Sequence, residues 1–498
     1  MIPIVKVSMS ATVWNSPISS FFVDNSANEI VGKKSLDPVM LEKQLCKAAR
    51  TGDITSAKRW LRKLTLTSPC KDGESSKTFE TRALYHAARA GNDNIIDLLI
   101  RFGCDLDVKW DGQTALIVAA SHSHEEIVEL LARNKASLDV REDRALGTVL
   151  HLICDRGLHG AMQSLLNYGA DVNARDKDQA TPLHVATMRG DSTGVRILLE
   201  NGADVSVIDR EGFGPLQGAA EFGFTTIMNQ LLDHGAKIDT QSGPVHYTAL
   251  HTAAGFNQPA MVELLLQRGA DINQQQRGTQ CGSALHVAVY HGNIKVVEIL
   301  LMWKPNLELR DADNLTPLHL AIHPRRRKSL PLLLKANADV NAKFLNRWDT
   351  PLTWAILSKD FELSQILIDH GANMEEVGRN GETILHHVVT LDDEEIIQFM
   401  LNNKANIEAL DAKGITPLMV AAESSCITSL KLLLANGAMT TPKDRIHGRT
   451  ALDYAQEVDS TTAVLLMLGY GAGSSSVPTP TNLNTDLDWD IEDEVELD

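Results

Sequence analysis

The stretch that decides the fold runs from residue 181 to residue 213 and reads TPLHVATMRG DSTGVRILLE NGADVSVIDR EGF. Two short segments in it carry apolar residues at helical spacing, and Gly190 separates them. A polar region with turn residues, Asp209 to Gly212, closes the stretch. Each segment is only about two helical turns long, so neither can bury its apolar face alone. The stretch therefore predicts a unit that folds by stacking on similar units.

Copies of this stretch follow one another through most of the chain, at steps of 32 to 35 residues. Aligned on Leu183, the copies carry a leucine at Leu84, Leu116, Leu150, Leu183, Leu216, Leu250, Leu285, Leu318, Leu352, Leu385, Leu418 and Leu452. In several copies, a threonine two positions earlier can cap the first helix, and a proline between them fits the first turn. A glycine nineteen residues after the leucine is typical of a helix that ends in the left-handed conformation. These glycines are Gly103, Gly169, Gly202, Gly235, Gly269, Gly371, Gly437 and Gly471.

The pattern resembles the ankyrin repeat, a β-turn followed by two antiparallel helices with the signature T-P-L-H-x-A. The resemblance covers about 13 repeats between residues 41 and 472, and it implies an all-α solenoid of helix-turn-helix units joined by β-hairpin loops. It also implies that the histidine after the leucine is hydrogen-bonded to the backbone of a neighbouring hairpin. That histidine recurs as His151, His184, His251, His286, His319 and His386.

The sequence predicts four regions of different character. Residues 1–40 show no period and are expected to form an irregular arm, whereas residues 41–80 contain a degenerate capping repeat followed by a loop over residues 65–80. Residues 81–472 hold repeats two to thirteen, and Pro331 should kink or delay the second helix of the ninth. Residues 473–498 carry eight acids and no base, so we expect a disordered acidic tail.

Composition limits the classes of function. A net charge of −17 argues against direct binding of nucleic acid, because phosphate contacts need an excess of lysine and arginine. The six cysteines include no C-x-x-C pair, which suits a reducing compartment. With no run of about 18 apolar residues, we expect no membrane span. The composition therefore favours a cytoplasmic or nuclear location.

No motif in the sequence predicts catalysis, a metal site or a cofactor. Six of the seventeen histidines belong to the repeat pattern, and His124-Glu125-Glu126 is only a fragment of a zinc-protease motif. The glycine cluster between Gly212 and Gly218 misses the dinucleotide-binding spacing, and no strand precedes it. We therefore expect neither enzymatic activity nor a small-molecule substrate.

Aromatic and imidazole side chains instead indicate a binding surface. The resemblance implies a concave face built from hairpin tips and from the ends of the first helices. The residues at those positions in repeats six to eight are Phe213, Phe222, Tyr247, Phe256, Tyr290 and His291. These rings predict a partner-binding strip. The alternative is that some of them only pack sideways against neighbouring hairpins.

Two charged segments carry further hypotheses. Arg325, Arg326, Arg327 and Lys328 resemble a short nuclear-localisation cluster, and the alternative is a solvated turn. In the tail, Leu487, Trp489 and Ile491 alternate with acids, which is typical either of a segment bound by a partner or of a solubilising end.

The resemblance to ankyrin repeats implies a non-catalytic scaffold or adaptor that binds one or more partner proteins on its concave face. One alternative is a nuclear regulatory protein, related to transcription, that uses the acidic tail. Another is the substrate-recruiting subunit of an enzyme complex such as a ubiquitin ligase. The fold does not choose among these roles or identify the partner.

Overall fold

The computed structural model describes residues 38–67, 75–141, 147–243, 246–276, 282–344 and 350–471. Within these residues the chain forms thirteen successive helix pairs. The chain divides into two compact units, Met1–Asp105 and Leu106–Asp498. The first unit holds repeats one and two, and the second unit holds repeats three to thirteen. The expected all-α repeat solenoid is confirmed.

The helices of the first compact unit are α1 (Pro38–Thr51), α2 (Ile54–Thr67), α3 (Ser75–Ala90) and α4 (Asp93–Arg101). Helix α1 packs on α2 and α3, and the pairs are joined by polar contacts as well. The Asn92 side-chain amide donates to the Ala49 carbonyl over 2.7 Å. The Arg82 guanidinium lies 3.1 Å from the Glu42 carboxylate.

The loop predicted over residues 65–80 is wrong at both ends. Helix α2 continues to Thr67, and α3 already begins at Ser75. The helix-breaking residues of this segment are Pro69 and Gly73, whereas Ser75 to Glu80 contains neither proline nor glycine and can extend the helix. Helix α1 likewise begins at Pro38, inside the predicted arm of residues 1–40, because proline is tolerated in the first turn. The rest of that arm, residues 1–37, lies outside the described residues.

The second compact unit repeats one arrangement. Its helices are α5 (Ala115–Ser121), α6 (Glu125–Arg133), α7 (Val149–Arg156), α8 (His159–Asn167), α9 (Pro182–Met188), α10 (Ser192–Glu200), α11 (Pro215–Phe222), α12 (Thr225–Asp233), α13 (Ala249–Gly255), α14 (Pro259–Gln267), α15 (Ala284–His291), α16 (Ile294–Met302), α17 (Pro317–Ala321), α18 (Leu330–Lys335), α19 (Pro351–Leu357), α20 (Phe361–Asp369), α21 (Ile384–Val388), α22 (Glu394–Asn402), α23 (Pro417–Glu423), α24 (Ile427–Ala435), α25 (Ala451–Glu457) and α26 (Thr461–Gly471). In most of these repeats the first helix packs on the first helix of the next repeat, and the second helix packs on the next second helix.

Two repeats contain 3₁₀ turns in their described residues, η1 (Pro324–Ser329) and η2 (Val389–Leu391). In the ninth repeat η1 replaces the turn between the helices, and α18 starts late with Pro331 in its first turn. Proline cannot donate a backbone hydrogen bond inside a helix, so the helix begins where that donor is not needed. The predicted delay of the second helix is confirmed.

The repeat signature explains the helix ends and the core. Thr181 and His184 form a capping box, with the Thr181 backbone N–H donating to His184 Nδ1 over 3.1 Å. Seven of the eight glycines predicted to end the second helices have positive φ, for example 94° at Gly169, whereas Gly471 lies inside α26 as its last described residue. Every aligned leucine except Leu452 is buried. The hairpins contribute only isolated β-bridges in the described residues, such as that between Ser242 and Tyr247.

The repeat histidine, where it occurs, links its repeat to the hairpin that follows. Because a carbonyl oxygen can only accept, His251 Nε2 must donate to the Gly282 carbonyl, 3.0 Å away, while Thr248 Oγ1 lies 2.8 Å from Nδ1. Equivalent bonds from Nε2 to a carbonyl are made by His151, His184, His286 and His386. For His319 the equivalent carbonyl falls within residues 345–349, outside the described residues. Burial lowers the pKa of His251 to about 4, so the ring is neutral at pH 7.

We expect His251→Ala to destabilise the array by about 3 kcal/mol, because the buried ring loses two hydrogen bonds and leaves a cavity. His234→Ala is the matched control, since His234 is exposed and should change the stability by less than about 0.5 kcal/mol. Urea denaturation followed by circular dichroism measures both. Equal effects of the two substitutions would contradict a structural role for the repeat histidine.

Candidate functional site

Phe222 and Phe256 occupy the same position in consecutive repeats and are both exposed. Phe222 is the last residue of α11, and Phe256 directly follows α13. Their exposed fractions are 43% and 51%. Large aromatic side chains at the surface remain in contact with water unless a partner covers them. These two rings are therefore accessible parts of the predicted strip.

Phe213 has a packing role. A side chain at Gly243, in the next hairpin, would come within 2.7 Å of the Phe213 ring, so the ring lies directly on that glycine. The Phe213 carbonyl also accepts the hydrogen bond from His184 Nε2 over 3.2 Å. Sideways packing against a neighbouring hairpin, the alternative raised from the sequence, thus describes this residue.

Tyr247, Tyr290, His291 and Arg326 come together across repeats seven to nine, and we call them the aromatic–basic cluster. The Arg326 guanidinium lies 3.9 Å from the centre of the Tyr290 ring, which is a cation–π contact. Tyr290 packs edge-on against His291 at 5.2 Å between ring centres. Tyr247 stacks on the structural His251 at 5.7 Å.

Residues of the cluster influence one another's pKa values. Burial raises the pKa of Tyr247, and the nearby Tyr290 hydroxyl raises it further. Burial lowers the pKa of His291, and the Arg326 guanidinium adds to that effect. The cluster therefore carries its positive charge on Arg326, with a neutral imidazole and two phenol rings around it at pH 7.

Phe224 belongs to the same region, although it was not among the predicted residues. Its ring stacks on Phe222 at 5.7 Å between centres. A side chain at Gly190 would come within 2.8 Å of it, so the Phe224 ring covers the turn of the preceding repeat. The corresponding residue of other repeats reaches the same turn, as Asn293 does by donating to the Ala254 carbonyl. The sequence could have indicated Phe224, because several repeats carry a polar residue at the equivalent position.

The four residues of the basic run in the ninth repeat have different surroundings. Arg326 belongs to the aromatic–basic cluster, and Arg327 forms an ion pair with Asp360 of the next repeat. Arg325 and Lys328 are exposed. A nuclear-localisation role for the four residues stays a prediction. The predicted tail motif of Leu487, Trp489 and Ile491 lies outside the described residues.

Among the described residues, no group of three or more histidine, cysteine, aspartate or glutamate side chains is arranged to hold a metal ion. In the same part of the chain, no helix combines the length and the apolar character needed to cross a membrane. The predicted strip and the aromatic–basic cluster form a surface of aromatic rings with a few cations.

Comparison with known proteins assigns the repeats. A family model described as ankyrin repeats in three copies matches residues 45–143, 136–209, 207–276, 275–344, 342–411 and 392–476. The chain belongs to the ankyrin-repeat family. This family is generally a non-catalytic protein-interaction fold, so the ankyrin surface described above is of the kind that contacts other proteins.

Several ankyrin proteins are similar to parts of the chain. The B-cell lymphoma 3 protein homolog of Mus musculus is 29% identical over 188 residues, which is 37% of this chain and 42% of that protein. Inversin of Mus musculus is 30% identical over 179 residues, 34% of this chain and 17% of that protein. Rabankyrin-5 of Homo sapiens is 26% identical over 218 residues, 41% of this chain and 18% of that protein. The chain thus spans less than half the length of each of these relatives.

A solved structure, the crystal structure of the ankyrin repeat domain of Bcl-3, described as a unique member of the IkappaB protein family, also matches. It is 29% identical, and the match covers 45% of this chain and 99% of that chain with a TM-score of 0.41.

Phe213 and Phe256 of the predicted strip should respond differently to substitution by alanine. We expect Phe213→Ala to lower the free energy of unfolding by about 2 kcal/mol, because its ring packs on Gly243. Phe256→Ala should change it by less than about 0.5 kcal/mol, because half of that side chain is already exposed. Urea denaturation of the two variants beside the unsubstituted chain measures the difference. A larger loss from Phe256→Ala would contradict the assignment of the two roles.

Proposed function

We propose that this chain is a non-catalytic scaffold or adaptor that binds a partner protein through the concave side of repeats six to nine. The proposed surface consists of the exposed rings of Phe222 and Phe256 together with the aromatic–basic cluster. The observation that carries the proposal is the pair of exposed phenylalanines at one repeat position, beside a cation held on an aromatic ring.

The composition of this surface supports a protein partner. The residues that contribute most to binding in protein interfaces are enriched in aromatic side chains and arginine. Aromatic rings bury a large area at a small cost in side-chain entropy. The Arg326 side chain is already held against Tyr290, so little of its freedom is lost on binding. Stacked helices lie about 10 Å apart, so equivalent side chains of successive repeats can contact one continuous segment of a partner.

A nuclear regulatory role is a second proposal. It is favoured by the exposure of Arg325 and Lys328 at the end of the proposed surface and by the acidic residues of the tail. Arg326 and Arg327 would have to leave their contacts with Tyr290 and Asp360 before all four residues could enter an import receptor. The location is accordingly proposed as cytoplasmic, nuclear or both. As the recruiting subunit of an enzyme complex, the chain would hold that enzyme's substrate on the same surface.

The experiment compares the unsubstituted chain with a Phe222→Ala, Phe256→Ala double variant as bait for proteins from cells. A captured protein is then purified and titrated against both. We expect its dissociation constant to rise at least about tenfold in the double variant, which corresponds to the loss of about 1.4 kcal/mol. The melting temperature should not change, because both rings are exposed.

Met302→Ala with Trp303→Ala is the matched control for this experiment. Both residues are large, apolar and exposed, at 78% and 44%, and they lie at the end of the second helix of repeat eight. We expect this control to bind as the unsubstituted chain does. A partner that binds the double variant with undiminished affinity, or that is lost equally with the control, would refute the proposed surface.

A further inference from the structure

Helix α26, the last described helix, exposes an apolar face. Leu465 and Leu468 have exposed fractions of 65% and 51%, and Val464, beside them on the same side, is only partly buried. The opposite side of the helix, with Ala463 and Met467, is buried where α26 packs on α24 and α25. A helix with apolar residues on both sides needs cover on both sides.

Comparison with the preceding repeat shows which residues lack cover. The counterparts of Val464 and Leu468 on α24 are Leu430 and Leu434, which are 0% and 5% exposed because α26 lies beside them. The same face on α26 has no following helix among the described residues. Repeats at the end of an array ordinarily carry a polar outer face. This one does not.

Leu465 breaks the pattern of the array more sharply. It stands thirteen positions after the aligned leucine, on the outer side of the second helix. This position is polar in repeats two to eight and ten to twelve, and it is Pro331 in repeat nine. These polar residues are Asp97, Glu129, Gln163, Arg196, Asn229, Glu263, Glu298, Gln365, Gln398 and Lys431. Only the thirteenth repeat places a large aliphatic side chain there. An apolar residue at a position otherwise reserved for solvent indicates contact with something else.

The chain itself carries a segment suited to this face. Residues 472–486 follow α26 with serine, threonine and proline rather than the repeat signature, and then Leu487, Trp489 and Ile491 alternate with acids. In an extended segment alternate side chains point to opposite sides, so the three apolar residues would share one side and the acids the other. Such a segment can cover an apolar helix face while leaving its charges in water.

Distance and charge favour the tail as the occupant. A flexible linker of about 15 residues has a typical end-to-end distance of about 21 Å, whereas a helix of 11 residues is about 16 Å long. Every point of α26 is therefore within reach. Lys431 is exposed on α24 at the position equivalent to Leu465, about 10 Å away, and Lys443 and Arg445 are exposed on the last hairpin. These cations would attract the acidic side of the segment.

We propose that residues 487–497 of this chain dock on the apolar face of α26, with Leu487, Trp489 and Ile491 covering Val464, Leu465 and Leu468. The docked segment completes the end of the array. The acids remain outside, where Lys431 and the last hairpin can pair with some of them. This inference does not rest on the partner-binding surface of repeats six to nine.

Hydrogen exchange of the full chain tests the docking. In a Leu487→Asp, Trp489→Asp, Ile491→Asp variant, we expect the amides of α26 to exchange about tenfold faster, since a tethered segment at an effective concentration on the order of 1 mM with an intrinsic Kd on the order of 0.1 mM is bound about ten to one. The matched control is Val477→Asp with Leu483→Asp, which adds charge to the linker and should leave the exchange unchanged.

The reciprocal variant changes the helix instead of the tail. Leu465→Gln gives α26 the neutral polar residue that repeats four, ten and eleven carry at the equivalent position, and it adds no charge that could attract the acidic segment. Together with Leu468→Gln it should make chymotrypsin cleavage after Trp489 about tenfold faster while the circular dichroism stays the same. The proposal is overturned if neither the exchange of α26 nor the cleavage rate changes in these variants. It is also overturned if the protection of α26 rises with protein concentration and survives the tail substitutions, because a second copy would then be the cover.

Discussion

The structure depends on the inability of one helix pair to bury its own apolar face. Each pair has helices of mostly five to nine residues in the second compact unit, too short to be stable in isolation. Leu183 and its counterparts are buried because the neighbouring repeats supply the other half of the core. In five repeats the signature histidine also donates to a carbonyl of the next hairpin, so polar contacts join the same neighbours as the apolar ones. The stability of the array therefore comes from contacts between neighbouring repeats.

This dependence on neighbours also explains where function can arise. A repeat array brings equivalent positions together along a face. When consecutive repeats carry an aromatic residue at the same position, as with Phe222 and Phe256, the two side chains therefore contribute to one extended surface. Leu465 follows the same logic at the end of the array, where the missing neighbour turns an ordinary second helix into an exposed surface.

The periodic part of the fold was predictable from the sequence because its causes are local. Threonine caps, first-turn prolines and left-handed glycines act within a few residues, and Pro331 delayed its helix as expected. The start of α3, Ser75 to Glu80, was not predictable, because its composition resembles a loop and it is helical as the extension of a helix that Leu84 and Ala87 hold in the core. Side-chain partners at the site were also beyond reach. The sequence does not show that Arg326 contacts the Tyr290 ring, whereas its neighbour Arg327 pairs with Asp360.

The most direct test of this account removes one complete repeat. Deletion of residues 181–213 joins Ala180 to Gly214 and puts Pro215 and Leu216 in the places of Pro182 and Leu183, so the repeat register is kept. If stability resides in adjacent pairs, the shortened chain should show the same helical circular dichroism per residue and a cooperative unfolding transition. Loss of helicity throughout the chain would contradict the account, because it would mean that the repeats share one core that cannot be shortened.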